Sequence, residues 1–189
     1  HVEPFTPQGI QHVTVEGMRL HLRREKRDRA TVWVNGTIQL SLNQEAADIT
    51  EALIQAFWKF KNVDAFSDGA FWQDMFGQLQ KKYGPGVSEQ RLRDDINQVF
   101  STYLNVAKGQ CPAVDLNLPM VDIKPEDWTA PSRMDLALTY TCQNECTFCY
   151  SDGPRRTEEL DFDQWKAIIA HLWQIGVPNL LFTGGEPTL

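Results

Sequence analysis

Over the first forty residues of the chain, apolar positions recur at every second residue. Residues 13–23 alternate loosely, Ala30-Thr31-Val32-Trp33-Val34 is β-branched and aromatic, and Thr37-Ile38-Gln39-Leu40-Ser41-Leu42 alternates cleanly. Period two is the spacing of a half-buried strand, and Asn35-Gly36 supplies the dipeptide that tolerates positive φ in a tight hairpin turn. Three antiparallel strands are expected. At Asn43 the period lengthens to that of a helix. Asn43 suits an N-cap, with Glu45 in the first turn, and Ile49, Leu53, Ala56, Phe57 and Phe60 form one stripe. The pattern breaks over residues 64–69 and resumes as a second helix over 71–83, stopped by Gly84-Pro85-Gly86. Ser88 caps a third helix with the stripe Leu92, Ile96, Val99 and Tyr103. All of these stripes read as core.

After Cys111 the texture changes. Pro112, Pro119, Pro125 and Pro131 crowd one stretch, which suits an extended connector rather than a helix. From Arg133 the order is strand, loop, helix, strand. Met134, Leu136, Leu138 and Tyr140 alternate with smaller or polar residues. Asp161 and Gln164 resemble a capping box. Trp165, Ile168, Ile169, Leu172 and Ile175 mark one helix face, stopped by Gly176 and Pro178. Leu180 to Thr183 is a short strand. A βαβ unit has parallel strands joined by a right-handed crossover. The expected division is 1–108 as a small α+β domain, 109–132 as a linker, and 133–189 as the start of an α/β domain. No internal repeat is visible.

Composition narrows the classes. With 42% apolar and 23% charged residues, the chain has an ordinary globular balance, and a net charge of −7 argues against gripping phosphate backbones, so no nucleic-acid partner is expected. No apolar run reaches the length of a membrane span, and no signal segment is present. The absence of an initiator Met and the stop just past a strand read as a fragment of a longer, soluble, cytoplasmic protein, which alone should be inactive. The run Arg23-Arg24-Glu25-Lys26-Arg27-Asp28-Arg29 reads as a solvated hairpin tip, with a patch for an acidic ligand as the alternative.

Of four cysteines, three lie within eight residues as Cys142-x3-Cys146-x2-Cys149. That is a poor disulfide framework and a good metal or redox one; Cys111 reads as a buried small hydrophobe. The cysteine loop follows the first strand of the βαβ unit, and Gly184-Gly185-Glu186-Pro187 follows the second. Parallel neighbours about 5 Å apart end on the same edge, so both segments should face one small volume. Three thiolates can ligate three irons of a cubane cluster and leave the fourth open. Two glycines allow close backbone approach, and Glu186 offers a carboxylate to an ammonium group. The bland alternative is a zinc site completed by His171, although zinc sites usually pair C-x2-C elements. His171 itself reads as a packed helix residue.

On these residues, 133–189 resemble the start of a radical S-adenosylmethionine (SAM) enzyme. Cys142, Cys146, Phe148 and Cys149 fill the pattern C-x3-C-x-aromatic-C, followed by the glycine-rich turn. The resemblance implies a partial (β/α)6 barrel, a 4Fe-4S cluster on the three cysteines, and SAM on the fourth iron. It also implies that Phe148 lies against the adenine and that Gly184, Gly185, Glu186 and Pro187 form the turn receiving the methionine amino group. Reduction of the cluster, by a donor such as flavodoxin or ferredoxin, would cleave SAM to methionine and a 5′-deoxyadenosyl radical that abstracts hydrogen from the substrate. No catalytic residue beyond the cofactor site is assigned.

The N-terminal part resembles a RiPP recognition element (PqqD-like), a small winged-helix-like βββααα domain. That likeness implies a precursor or leader peptide partner, added as a strand beside residues 37–42 and facing 92–103, with Arg91 and Arg93 complementing an acidic leader. Two alternatives stand beside it. One is a radical SAM enzyme on a small metabolite with a purely structural front domain; the other is a non-catalytic peptide-binding adaptor with a structural metal site.

Overall fold

The computed structural model of the chain describes residues 9–15, 17–61, 69–110, 121–150 and 158–189. A four-stranded antiparallel sheet runs in sequence order through β1 (Ile10–Val15), β2 (Met18–Arg24), β3 (Ala30–Val34) and β4 (Ile38–Leu42). Three helices follow: α1 (Gln44–Phe60), α2 (Gly69–Tyr83) and α3 (Glu89–Ala107). Beyond the connector, β5 (Arg133–Thr139), α4 (Phe162–Ile175) and β6 (Asn179–Gly184) form a βαβ unit whose strands pair in parallel. That agrees with an α/β start of the kind expected.

The front sheet has four strands, where the alternation predicted three. The stretch 13–23 is two strands of a hairpin, and Gly17 at φ +79° lies between them. The core-facing positions show why: Val13 and Val15 are odd, whereas Met18, Leu20 and Leu22 are even. A strand cannot change face parity without a turn or bulge. The local signals survive in the structure. Asn43 and Ser88 accept N-cap bonds from Ala46 N and Arg91 N, Asp161 and Gln164 make the reciprocal capping box, and Gly176 closes α4 at φ +93°. The second helix begins at Gly69, two residues before its expected start; the expected break over 64–69 and Cys111 fall mostly or wholly outside the described residues.

The even side of β2 and the facing residues of β3 and β4 meet Leu53, Phe57, Phe71, Met75, Leu92, Ile96 and Tyr103 in one core. The opposite face of the sheet is also covered. The basic run expected to be solvated turns inward at two positions, because strand alternation continues through it: Arg23 and Glu25 are 2% and 3% exposed. Arg23 Nε lies 2.7 Å from Glu25 Oε1. Its Nη1 donates to Pro131 O (3.0 Å) and Gly176 O (2.8 Å), and its guanidinium stacks over Trp33. The other oxygen of Glu25 accepts from Thr129 N (2.8 Å) and Thr129 Oγ1 (2.9 Å). Beside this network Trp173 of α4 stands edge-on to His12 and His21. Arg24 points to the helix side, bonding the buried Asp48 and the half-buried Glu51. Lys26, Arg27 and Asp28 are the solvated part of the tip.

Two outcomes follow from this packing. Replacing Arg23 by Ala strands the Glu25 carboxylate in a dry interface, so the urea midpoint should fall by an amount equivalent to roughly 3–5 kcal/mol; a loss below about 1 kcal/mol would contradict the network. Acid should also destabilise the front unit. Burial pushes Asp48 and Glu51 upward, but bonds from Lys82, Tyr83 and Arg24 to the first, and from Gln11 and Arg24 to the second, hold both below the usual carboxylate range. A folded pKa below the unfolded one gives stability that is present above the unfolded value and is lost as pH falls through the folded one. Denaturation midpoints should therefore decline below a pH of about 4, and Asp48→Asn should flatten that decline.

Candidate functional site

The parallel register sets β5 and β6 side by side from Arg133↔Asn179 to Thr139↔Gly184, so the cysteine loop and the glycine turn leave the sheet at the same end. They are bonded to each other there. Gly185 N donates to Thr139 O (2.8 Å), and Glu186 N donates to Thr141 O (2.9 Å), the residue before Cys142. The two glycines are needed for this contact. A Cβ on Gly184, whose φ is +123°, would lie 2.0 Å from Thr139 O, and one on Gly185 would lie 2.2 Å from Thr141 O. The space that sequence reasoning gave to a ligand is, at these two Cβ positions, filled by the root of the cysteine loop.

The loop itself is open. Cys142, Cys146 and Cys149 are exposed thiols, none of them in a disulfide, and Cys149 N bonds Cys146 O (3.2 Å) to form one turn. Phe148 is 87% exposed. Among the described residues no three His, Cys, Asp or Glu side chains are gathered tightly enough to hold a metal ion; the three thiols share a loop without converging on one point. His171, expected to pack within the helix, is exposed, because Trp165, Ile168, Ile169 and Leu172 take the inner face of α4. As a donor set, three accessible reduced thiols within eight residues fit an iron–sulfur cluster better than a closed four-ligand zinc site.

Two acidic side chains frame the edge. Glu186 Oε1 accepts from Thr188 Oγ1 (2.6 Å) and Thr188 N (3.1 Å), which holds the carboxyl below its ordinary range. It is half-buried and ionised, with Oε2 bonded to no described residue. Glu159, which sequence reasoning missed, closes the end of β5. Its Oε1 accepts from Tyr140 N (2.6 Å) and its Oε2 from Thr139 Oγ1 (2.9 Å), and these bonds, the backbone one first, lower its pKa. Tyr150, just past the last cysteine, pairs its hydroxyl with Thr183 Oγ1 of β6 (3.0 Å). The loop is thus pinned at both ends.

The glycine contact gives a direct outcome. Gly185→Ala must push the turn away from residues 140–141, so iron bound after anaerobic reconstitution should drop several-fold while the front unit keeps its urea midpoint. Full iron loading in this variant would show that the turn does not position the loop.

Residues 136–189 match the family model described as Radical SAM superfamily. Over 65 residues the chain is 35% identical to the PqqA peptide cyclase of Bradyrhizobium diazoefficiens, covering 33% of this chain and 17% of that protein. Over 60 residues it is 40% identical to the sporulation killing factor maturation protein SkfB of Bacillus subtilis (31% and 15%). Over 55 residues it is 42% identical to the GTP 3′,8-cyclase of Chlorobaculum tepidum (29% and 17%). The chain thus spans about a sixth of the length of the curated relatives it matches. No solved structure matches it significantly. No helix among the described residues is long and apolar enough to cross a membrane. The segment from Leu136 to Leu189, with its cysteine loop and glycine turn at one end of a parallel strand pair, is the part of the chain that resembles the Radical SAM superfamily.

Proposed function

We propose that residues 133–189 open the catalytic domain of a radical SAM enzyme, and that the whole protein modifies a ribosomally made peptide or protein. The carrying observation is the bonded pair of motifs, with the C-x3-C-x2-C loop rooted on the Gly184–Pro187 turn. Cys142, Cys146 and Cys149 hold a 4Fe-4S cluster. Bound with SAM and reduced by a donor such as flavodoxin or ferredoxin, it supplies radical chemistry. The chain's own residues bind and orient. Gly184 and Gly185 fix the turn, Pro187 stiffens it, the ionised Glu186 receives an ammonium group, and Phe148 offers an exposed ring to a purine.

Residues 1–108 are the peptide-recognition domain, and 109–132 the connector. A peptide partner is supported by two relatives, named for a peptide cyclase and for maturation of a killing factor. The sheet supports it as well. β1 pairs only with β2, as β4 pairs only with β3, and along the outer edge of β1 Trp58 Nε1 donates to His12 O (2.5 Å) while Trp173 packs on the His12 ring. The accepting edge is β4, where a peptide adds through main-chain bonds. The pockets beside it differ from the sequence expectation. Leu92, Ile96, Val99 and Tyr103 are consumed in the core. Arg91 is paired with Glu45 and Asp95, and Arg93 with Glu89. An open cavity of about 640 Å³ past the end of β4 carries charges of both signs, Arg27, Arg29 and Arg91 beside Asp28 and Glu45.

The GTP 3′,8-cyclase similarity carries the second reading, a small-molecule substrate with a structural front domain. One experiment separates the readings. The whole protein, reconstituted anaerobically with iron and sulfide, should bind an oxygen-sensitive cluster that Cys142→Ala, Cys146→Ala or Cys149→Ala abolishes and Cys111→Ala spares. The same protein should bind a precursor peptide encoded beside its gene. Stoichiometric zinc without iron would favour the adaptor; SAM cleavage with turnover of a small molecule and no peptide binding would favour the second reading.

A further inference from the structure

Thr139, Tyr140 and Thr141 carry the chain out of β5 into the cysteine loop, and one side chain from the far side of that loop reaches back to them. Glu159 lies 19 positions beyond Tyr140 and is set in place by the start of α4, whose N-cap Asp161 follows two residues on. Its Oε1 accepts from Tyr140 N (2.6 Å) and its Oε2 from Thr139 Oγ1 (2.9 Å). That hydroxyl accepts in turn from Thr141 N (3.0 Å). One carboxylate thus takes up, directly or through a single hydroxyl, the two amides at the exit of the strand. Among the described residues it has no cationic partner; the bonds that lower its pKa come from Tyr140, Thr139 and Thr141.

The same peptide groups hold the glycine turn. In a trans peptide the C=O and the N–H point in opposite directions. The plane joining Thr139 to Tyr140 gives its N–H to Glu159 and its C=O to Gly185 N (2.8 Å). The carboxylate and the turn therefore stand on opposite sides of one rigid unit. Fixing the N–H aims the carbonyl, and a charged acceptor on one side polarises the bond on the other. Through Thr139 Oγ1 the constraint extends to Thr141, whose O accepts from Glu186 N (2.9 Å). From this chain of bonds, and resting on the radical SAM reading above, we infer that Glu159 is the positioning residue of the SAM-receiving turn. It sets Gly185 and Glu186 against the root of the cysteine loop before any cluster is built, and none of its bonds goes to a thiol. A carboxylate is required. Tyr140 N and Thr139 Oγ1 both donate here, and a glutamine would present an NH2 to a hydroxyl that already accepts from Thr141 N.

The test uses the whole protein, iron-free and after anaerobic reconstitution, as wild type, Glu159→Gln, Thr139→Val, Thr139→Ser and the double variant Glu159→Gln/Thr139→Val. In iron-free Glu159→Gln, hydrogen exchange over residues 140–142 and 184–187 should quicken about tenfold, the scale of losing one charge-assisted bond, while the urea midpoint stays at the wild-type value. In the loaded protein, SAM should bind about tenfold more weakly, with iron content and the rate of SAM cleavage at saturating SAM each within about twofold of wild type. Thr139→Ser keeps the hydroxyl and should bind SAM within about twofold of wild type, whereas Thr139→Val should match Glu159→Gln. The double variant should be no worse than either single one, because both changes break the same chain of bonds. Unchanged exchange and SAM affinity in Glu159→Gln would overturn the inference. So would additive losses in the double variant, or a loss of affinity that tracks a lowered urea midpoint. Wild-type protein that takes up no iron or binds no SAM would overturn the radical SAM reading and the role toward SAM with it, while exchange over 184–187 would still decide whether Glu159 holds the turn.

Discussion

The arrangement hangs on one buried guanidinium. Arg23 sits on the sheet face turned away from the three helices, where an apolar residue would be the ordinary choice, and it is 2% exposed. Burying a charge is tolerable only when it is paired and its donors are used. Glu25 supplies the charge, and the carbonyls of Pro131 and Gly176 use the remaining donors. Those carbonyls belong to the segments that enter β5 and β6, so satisfying Arg23 and orienting the two units are the same event. Gly176 is part of the fit. A Cβ on it would stand 2.7 Å from Arg23 Cδ, so the residue that ends α4 in left-handed geometry also clears room for the side chain that anchors it.

What could be read along the chain and what could not divide by range. The caps at Asn43, Ser88, Asp161 and Gly176 are decided by neighbours within four residues, and each is where the sequence put it. The parallel pairing of β5 and β6 followed from the βαβ order alone. The hairpin at Gly17 was legible in principle, through the shift from odd to even apolar positions, but a loose alternation hid it. Arg23 and Glu25 were misread because a charge run is judged by composition, while their burial depends on residues 104 to 153 positions away. Glu159 and Tyr150 belong to the same class, since nothing near either in sequence announces a bond to Tyr140 or Thr183.

The glycine turn shows how a correct site can rest on a different physical reason. Gly184 and Gly185 were singled out for their ability to let a ligand approach. In the fold, their missing Cβ atoms admit the carbonyls of Thr139 and Thr141. The turn and the cysteine loop are consequently one mechanical piece, held by two main-chain bonds and steadied by Glu159 and Tyr150. The side-chain freedom left to the thiols is confined to residues 142–149, which are exposed throughout.

Trp58 occupies one carbonyl of β1, that of His12, while among the described residues both outer strands of the front sheet pair on one side only. A two-sided sheet can grow in both directions and so can stack without limit, whereas a one-sided sheet can accept one strand and then is complete. The indole at His12 would have to leave before a strand could add along β1, so growth at that border is hindered at one point.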